Sequence, residues 1–92
     1  MTAYALRIVR ASRSWPGIRV GAGPRGGIAL VRIARARALL AGRDFVTPDD
    51  VKAGTLPALR HRIALAPDLE IEGRDADEVL TALLEGVEAP RQ

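Results

Sequence analysis

The sequence predicts an all-α fold, a small bundle of four to five helices, on three observations. Apolar residues recur at helical spacing near the start, in the middle and near the end of the chain. Proline and glycine fall between those periodic stretches, where helices begin and stop. The aromatic residues are Tyr4, Trp15 and Phe45, so the core must be built from Leu, Val, Ile and Ala. A chain of 92 residues makes one small domain. Residues 3–87 are expected to be structured and 88–92 to form a tail.

Residues 1–14 read as the first helix. Tyr4, Ile8 and Ala11 share a face with Ala5 and Val9, while Arg7, Arg10 and Arg13 recur along another strip. Thr2 is the one residue able to cap its start. Pro16 and Gly17 end it. Trp15 is expected as a core plug under the following loop, and Ile18–Val20 as an extended link and no more.

Gly21 to Gly27 packs four glycines and a proline into seven residues, a turn that opens a helix. Gly23 is the expected N-cap, a weak one. Pro24 suits the first helical position, where a missing N–H leaves no bond unmade. Arg25 then lies in the first turn, beside unpaired N–H groups and the positive end of the helix dipole. A cation is misplaced there unless an anion faces it. Two readings stand: a glycine-rich cap with a solvated arginine, or an anion site combining the helix N-terminus with a bidentate guanidinium.

From Ile28 to Ala41 the helix is apolar on nearly every side, through Ile28, Leu30, Val31, Ile33, Leu39 and Leu40. That pattern predicts a buried central helix. Arg25 and Arg32 share one face, Arg35 is displaced from them and Arg37 points elsewhere. Gly42 suits the position just past the helix end.

Thr47-Pro48-Asp49-Asp50 is the strongest local signal. Thr47 caps, Pro48 takes the first helical position, and two acids meet the positive helix end. This helix is expected to reach about Ala53, with Gly54 and Pro57 breaking or kinking it. A second segment, Pro57 to Arg62, would carry Leu56 and Leu59 inward. Arg60-His61-Arg62 is a basic cluster. With His61 the one histidine of the chain, a histidine-rich metal site is excluded, and His61 reads as a partly exposed structural residue. Ile63 to Gly73 reads as an irregular loop with one extended piece. Asp75-Ala76-Asp77-Glu78 opens the last helix, whose apolar face is Val79, Leu80, Leu83, Leu84 and Val87 and whose end Gly86 weakens.

The net charge of +3 is unevenly divided. Residues 1–43 hold nine arginines and no acid, while the remainder sets eleven acids against four arginines and Lys52. Such a division points to an anionic partner for the basic half, or to contact between the halves. Arginine in place of lysine favours bidentate contact with phosphate or carboxylate, although the codon usage of a GC-rich genome produces the same excess.

The absence of cysteine excludes disulfides, thiolate zinc sites and cysteine nucleophiles. No apolar run is long enough to span a bilayer and no signal-peptide pattern is present, so a cytoplasmic location is expected. There is no phosphate loop, no H-E-x-x-H, and Gly21-Ala22-Gly23 does not extend into a dinucleotide fingerprint. Ser12 and Ser14 have no base near them in sequence, and helix capping accounts for the acid pairs. The chain by itself is therefore not expected to be an enzyme.

Three segments carry a family resemblance: Gly21-Ala22-Gly23-Pro24-Arg25-Gly26, then Ala41 to Val51, reading Ala-Gly-Arg-Asp-Phe-Val-Thr-Pro-Asp-Asp-Val, then Leu59-Arg60-His61-Arg62-Ile63. In this order and spacing the chain resembles the C-terminal lid of MoxR-type AAA+ ATPases, from the first helix to about Val87. The resemblance implies a helical lid that follows a nucleotide-binding core domain, which this chain does not contain. Its Gly-Pro-Arg turn resembles the sensor 2 motif, which implies that Arg25 reaches ATP bound in the core domain and that Gly23 and Pro24 lie at the nucleotide. The family usually has serine where this chain has Gly23. Arg32 either extends that contact, pairs with the core domain or is structural. ATP and Mg2+ would be held by the whole protein and not by this part alone. The implied partners are its own core domain, neighbouring subunits of a ring and a client protein that the whole ATPase assembles or activates.

Two other classes compete. A helical nucleic-acid-binding module would use the basic half, but no helix carries the Asn/Gln/Arg pattern of a major-groove reader and aromatic stacking residues are few. A protein-interaction bundle would explain everything except the Gly-Pro-Arg turn.

Overall fold

The computed structural model describes residues 2–89. Its elements are α1 (Thr2–Ser14), β1 (Ile18–Val20), α2 (Pro24–Leu40), α3 (Pro48–Leu59), β2 (Ala64–Leu65), α4 (Pro67–Ile71) and α5 (Ala76–Gly86). Among the described residues, five helices and a two-stranded ribbon make this a helical bundle, as the periodicity predicts. Met1 and the last residues of the expected tail, 90–92, lie outside the described residues.

The core sits where α1, α2, α3 and α5 meet. Tyr4, Ile8, Leu30, Val51, Leu59, Leu80 and Leu83 are fully buried there. The Tyr4 hydroxyl is buried with no hydrogen-bond partner among the described residues. Trp15 is half-buried, packed against the core and the end of α5. A Cβ at Gly86 would lie 2.5 Å from the indole, so Gly86 makes room for Trp15 as well as weakening the helix.

The α2–α3 contact is the most extensive in the bundle. It corrects two expectations. First, α3 runs unbroken through Gly54 and Pro57. Gly54 is buried, and a Cβ there would meet Ile33 at 3.0 Å, so its smallness serves the approach of α2. Pro57 is exposed and lies in the last turn, where it forgoes one helix bond without ending the helix. Second, α2 is not buried all round. Gly26, Leu30, Ala34 and Ala38, four apart, form its buried stripe. Ile28 is 53% exposed, Leu39 72% and Leu40 90%.

The termini of these helices follow local rules. Past α2, Gly42 takes a φ of +78°, its N–H bonds the Leu39 carbonyl at 3.0 Å and the Arg43 N–H bonds Ala38 at 2.9 Å. That is the pattern of a helix closed by a left-handed glycine. At the start of α5, the Asp75 carboxylate accepts the Glu78 N–H at 2.9 Å.

Residues 63–73 are more ordered than expected. Ala64–Leu65 pairs antiparallel with Ile18–Val20, setting Ile18 opposite Leu65 and Val20 opposite Ala64. The presumed link is therefore one strand of a ribbon. Pro67 then opens the short helix α4, in which Leu69 is half-buried and Ile71 is 86% exposed. The alternation of apolar and acidic residues there is helical, with Leu69 packed over Gly17 and Ile71 turned outward.

Candidate functional site at the glycine turn before α2

The turn from Gly21 to Gly27 is fastened to α1. A Cβ at Gly21 would lie 2.7 Å from the backbone of Arg13 and from the Ser12 carbonyl, so only glycine fits. Ser12 is fully buried; its hydroxyl donates to the Val9 carbonyl at 2.6 Å and accepts the Ala22 N–H at 3.0 Å. The Arg13 Nε donates to the Ala22 carbonyl at 3.3 Å. Both backbone groups of Ala22 are thus held by α1. Sequence reasoning missed Ser12 by asking only whether it had a catalytic base. The available signal was its place four residues past Ile8 on the apolar face, where a polar residue needs a partner.

Gly23 caps α2 in an extended conformation, φ −88° and ψ −172°, with no side-chain bond and open space where a Cβ would stand. Pro24 occupies the first helical position, as expected. Arg25 follows it, exposed, with no hydrogen bond or ion pair among the described residues. Gly26 is buried, and a Cβ there would come within 3.0 Å of Leu59 and 3.6 Å of the Arg62 Cδ. The first turn of α2 consequently rests on the end of α3.

Arg32 lies one face-repeat further along α2. With Thr2, Leu6, Pro24, Ile28 and Arg35 it lines an open groove of about 420 Å³ between α1 and α2. The structure therefore joins Pro24 and Arg32, and it adds Arg35, which the sequence reading set apart. Arg25 stands outside this groove.

The ion pairs divide the arginines sharply. Arg43 grips Asp50 through two bonds, Nη1 to Oδ2 at 2.6 Å and Nη2 to Oδ1 at 2.8 Å. Asp50 also accepts the Thr47 N–H at 2.9 Å, and its own N–H meets the Thr47 hydroxyl at 3.3 Å, completing the expected cap. The Arg43 guanidinium, and then the Thr47 N–H, hold the Asp50 carboxyl well below the usual carboxylate range. Arg60 pairs with Asp77 at 3.1 Å, and Arg74 with Glu72 and Glu78. Among the described residues, Arg43 is the one arginine of the basic half that reaches a carboxylate; the eight before it are exposed. Contact between the halves thus accounts for Arg43 and for Arg7, whose Nη2 donates to the Glu88 carbonyl at 3.0 Å, while Arg25 and Arg32 make no such contact among the described residues.

Residues 10–83 match the family described as the AAA lid domain. The chain belongs to that family. The lid domain is 38% identical over 97% of its length to the Bacillus subtilis protein YeaC, covering 28% of that protein. It is 39% identical over 79% of its length to protein MoxR of Methylorubrum extorquens, covering 22%. It is 32% identical over 96% of its length to the chaperone MoxR1 of Mycobacterium tuberculosis, covering 26%. A crystal structure of a candidate ATPase from Cytophaga hutchinsonii superposes on 98% of the lid domain with a TM-score of 0.89 at 30% identity, over 30% of that chain. The lid domain thus spans 22% to 28% of the length of these curated relatives. Among the described residues, no group of three or more His, Cys, Asp or Glu is placed to hold a metal ion. Among the described residues, no helix is long and apolar enough to cross a membrane.

Proposed function

We propose that the lid domain closes over ATP held in an ATPase core domain of the same protein, and that Arg25 is its contribution to that site. One observation carries the reading. An arginine in the first turn of α2, at the position resembling sensor 2, is exposed and has no protein partner among the described residues. The turn suits an anion, because it offers donors and a guanidinium and no carboxylate. It does not suit Mg2+, which is assigned to the core domain.

In this reading Gly23 and Pro24 bring the backbone close to the nucleotide. Arg25 neutralises charge developing on the γ-phosphate, or reports nucleotide state by moving with the lid. Arg32 extends the contact or pairs with the core domain. Hydrolysis belongs to the whole protein, and the lid alone should release no phosphate from ATP. The whole protein is read as a cytoplasmic, chaperone-like ring ATPase that assembles or activates a client protein; the name of the mycobacterial relative, a chaperone, supports the chaperone-like part of that reading.

The test is Arg25→Ala, made in the full-length protein and in the lid. Turnover in the full-length protein should fall by about tenfold to a thousandfold, as for other lost charge-stabilising donors. The melting of the lid should hardly move, as expected for an exposed substitution. Normal turnover with a destabilised lid would make Arg25 structural. A second reading, contact with nucleic-acid phosphates, is favoured by the eight exposed arginines of the basic half. Salt-dependent DNA binding by the lid would support it.

A further inference from the structure

We propose that Arg62 is a second phosphate-contacting residue, acting beside Arg25 on the same nucleotide. The inference rests on the reading of Arg25 above and adds to it a residue from a different helix.

Arg62 enters from the far end of α3. A turn closed by its own N–H on the Leu59 carbonyl, at 2.9 Å, brings the chain around. The side chain is then held along its length. Its Nε donates to the Ala58 carbonyl at 3.2 Å, and its Cδ lies 3.6 Å from the place a Gly26 Cβ would occupy. Gly26 directly follows Arg25 and is buried. Because it has no side chain, the first turn of α2 settles onto Leu59 and Arg62. The absent Cβ thus brings the Arg62 side chain against Gly26, the residue that follows Arg25.

The chemistry of the pair is unfinished within the domain. Nη1 and Nη2 of Arg62 make no hydrogen bond or ion pair among the described residues, and neither does Arg25. Arg60, two residues before Arg62, does find a carboxylate, Asp77 at 3.1 Å. A guanidinium fixed at Nε with both Nη groups free has its fork already oriented for an oxyanion. A nucleoside triphosphate offers several phosphates, so arginines from α2 and α3 can contact it together. Binding would then tie the start of α2 to the end of α3.

Arg62 also has an ordinary helix role, since a cation after the last turn of α3 complements the dipole. The experiment separates the two. Arg62→Ala, Arg62→Lys and Arg25→Ala are made in the full-length protein, and binding of a fluorescent non-hydrolysable ATP analogue with Mg2+ is measured beside thermal melting. Arg62→Ala should weaken binding by about tenfold, the usual effect of losing a hydrogen bond to a charged group. Arg62→Lys keeps the helix-end charge and should melt like the parent, yet recover only part of the binding, because it lacks the planar fork. Full binding by Arg62→Ala, or full recovery by Arg62→Lys with binding tracking the melting temperature throughout, would overturn the proposal. If Arg25→Ala loses binding while Arg62→Ala binds normally, Arg62 alone is dismissed. If Arg25→Ala changes nothing, the sensor reading itself falls and Arg62 falls with it.

Discussion

Ser12 and Ala22 form the joint that holds the functional turn: the Ala22 N–H ends on the Ser12 hydroxyl at 3.0 Å, ten residues away in sequence. The same hydroxyl donates a hydrogen bond to the Val9 carbonyl at 2.6 Å, so the joint is anchored inside α1. The orientation of Arg25 three residues later depends on this fixed point.

Ser12→Ala should therefore be destabilising. It leaves the buried Ala22 N–H without its acceptor, a loss of about 1–3 kcal/mol. Urea melts of the two lids measure it. An unchanged midpoint would show that Ala22 finds another acceptor.

Thr47→Ala should lower stability by about 1 kcal/mol, the usual loss of an N-cap. The Thr47 hydroxyl meets the Asp50 N–H at 3.3 Å and donates to the Asp50 carboxylate at 3.1 Å. Denaturant midpoints compared with the parent decide the matter.

Asp50 should make the lid acid-sensitive. Arg43 and the Thr47 N–H depress its carboxyl pKa in the folded state, whereas in the unfolded chain it titrates near about 3.9. A depressed folded-state pKa stabilises fully above the unfolded value, and that stability drains away as pH falls below about 4. Asp50→Asn should be less stable than the parent at neutral pH, and the gap should narrow as the medium is acidified below pH ~4. Thermal melts across that range test the sign; a gap that widens in acid would contradict it.

Gly23→Ser should stabilise the lid by roughly 0.5–1 kcal/mol, since serine is a better N-cap and removes unfolded-state freedom. The site admits it: the Gly23 backbone is extended and nothing lies within 4 Å of a Cβ there. A lowered melting temperature would show that glycine is needed at the turn.

The parts of the site that could be read directly were those written within one turn of chain. Pro24 at the first helical position places Arg25 in the first turn whatever surrounds it. Arg62 could be seen only as one of a basic cluster, because its relation to Arg25 runs through Gly26 and the packing of two helices. Arg35 was set apart on helix angles alone, yet α1 supplies Thr2 and Leu6 to the groove it shares with Arg32.

The same division runs through the fold. Thr47, Pro48 and Asp50 determine the start of α3 by themselves, since their bonds join residues three apart. The apolar faces of α1 and α5 likewise follow from spacing, and the buried Ile8, Val9, Leu80 and Leu83 lie on them. What only the tertiary structure decided were the matters of distant partners. Gly54 reads as a breaker until Ile33 is found against it, and Ile18–Val20 reads as a link until Ala64–Leu65 lies alongside. Ile28, Leu39 and Leu40 read as core until the bundle leaves them uncovered. Hydrogen bonds within a turn are set by neighbours in the chain, whereas close approach and burial are set by whichever residues the folded chain brings opposite.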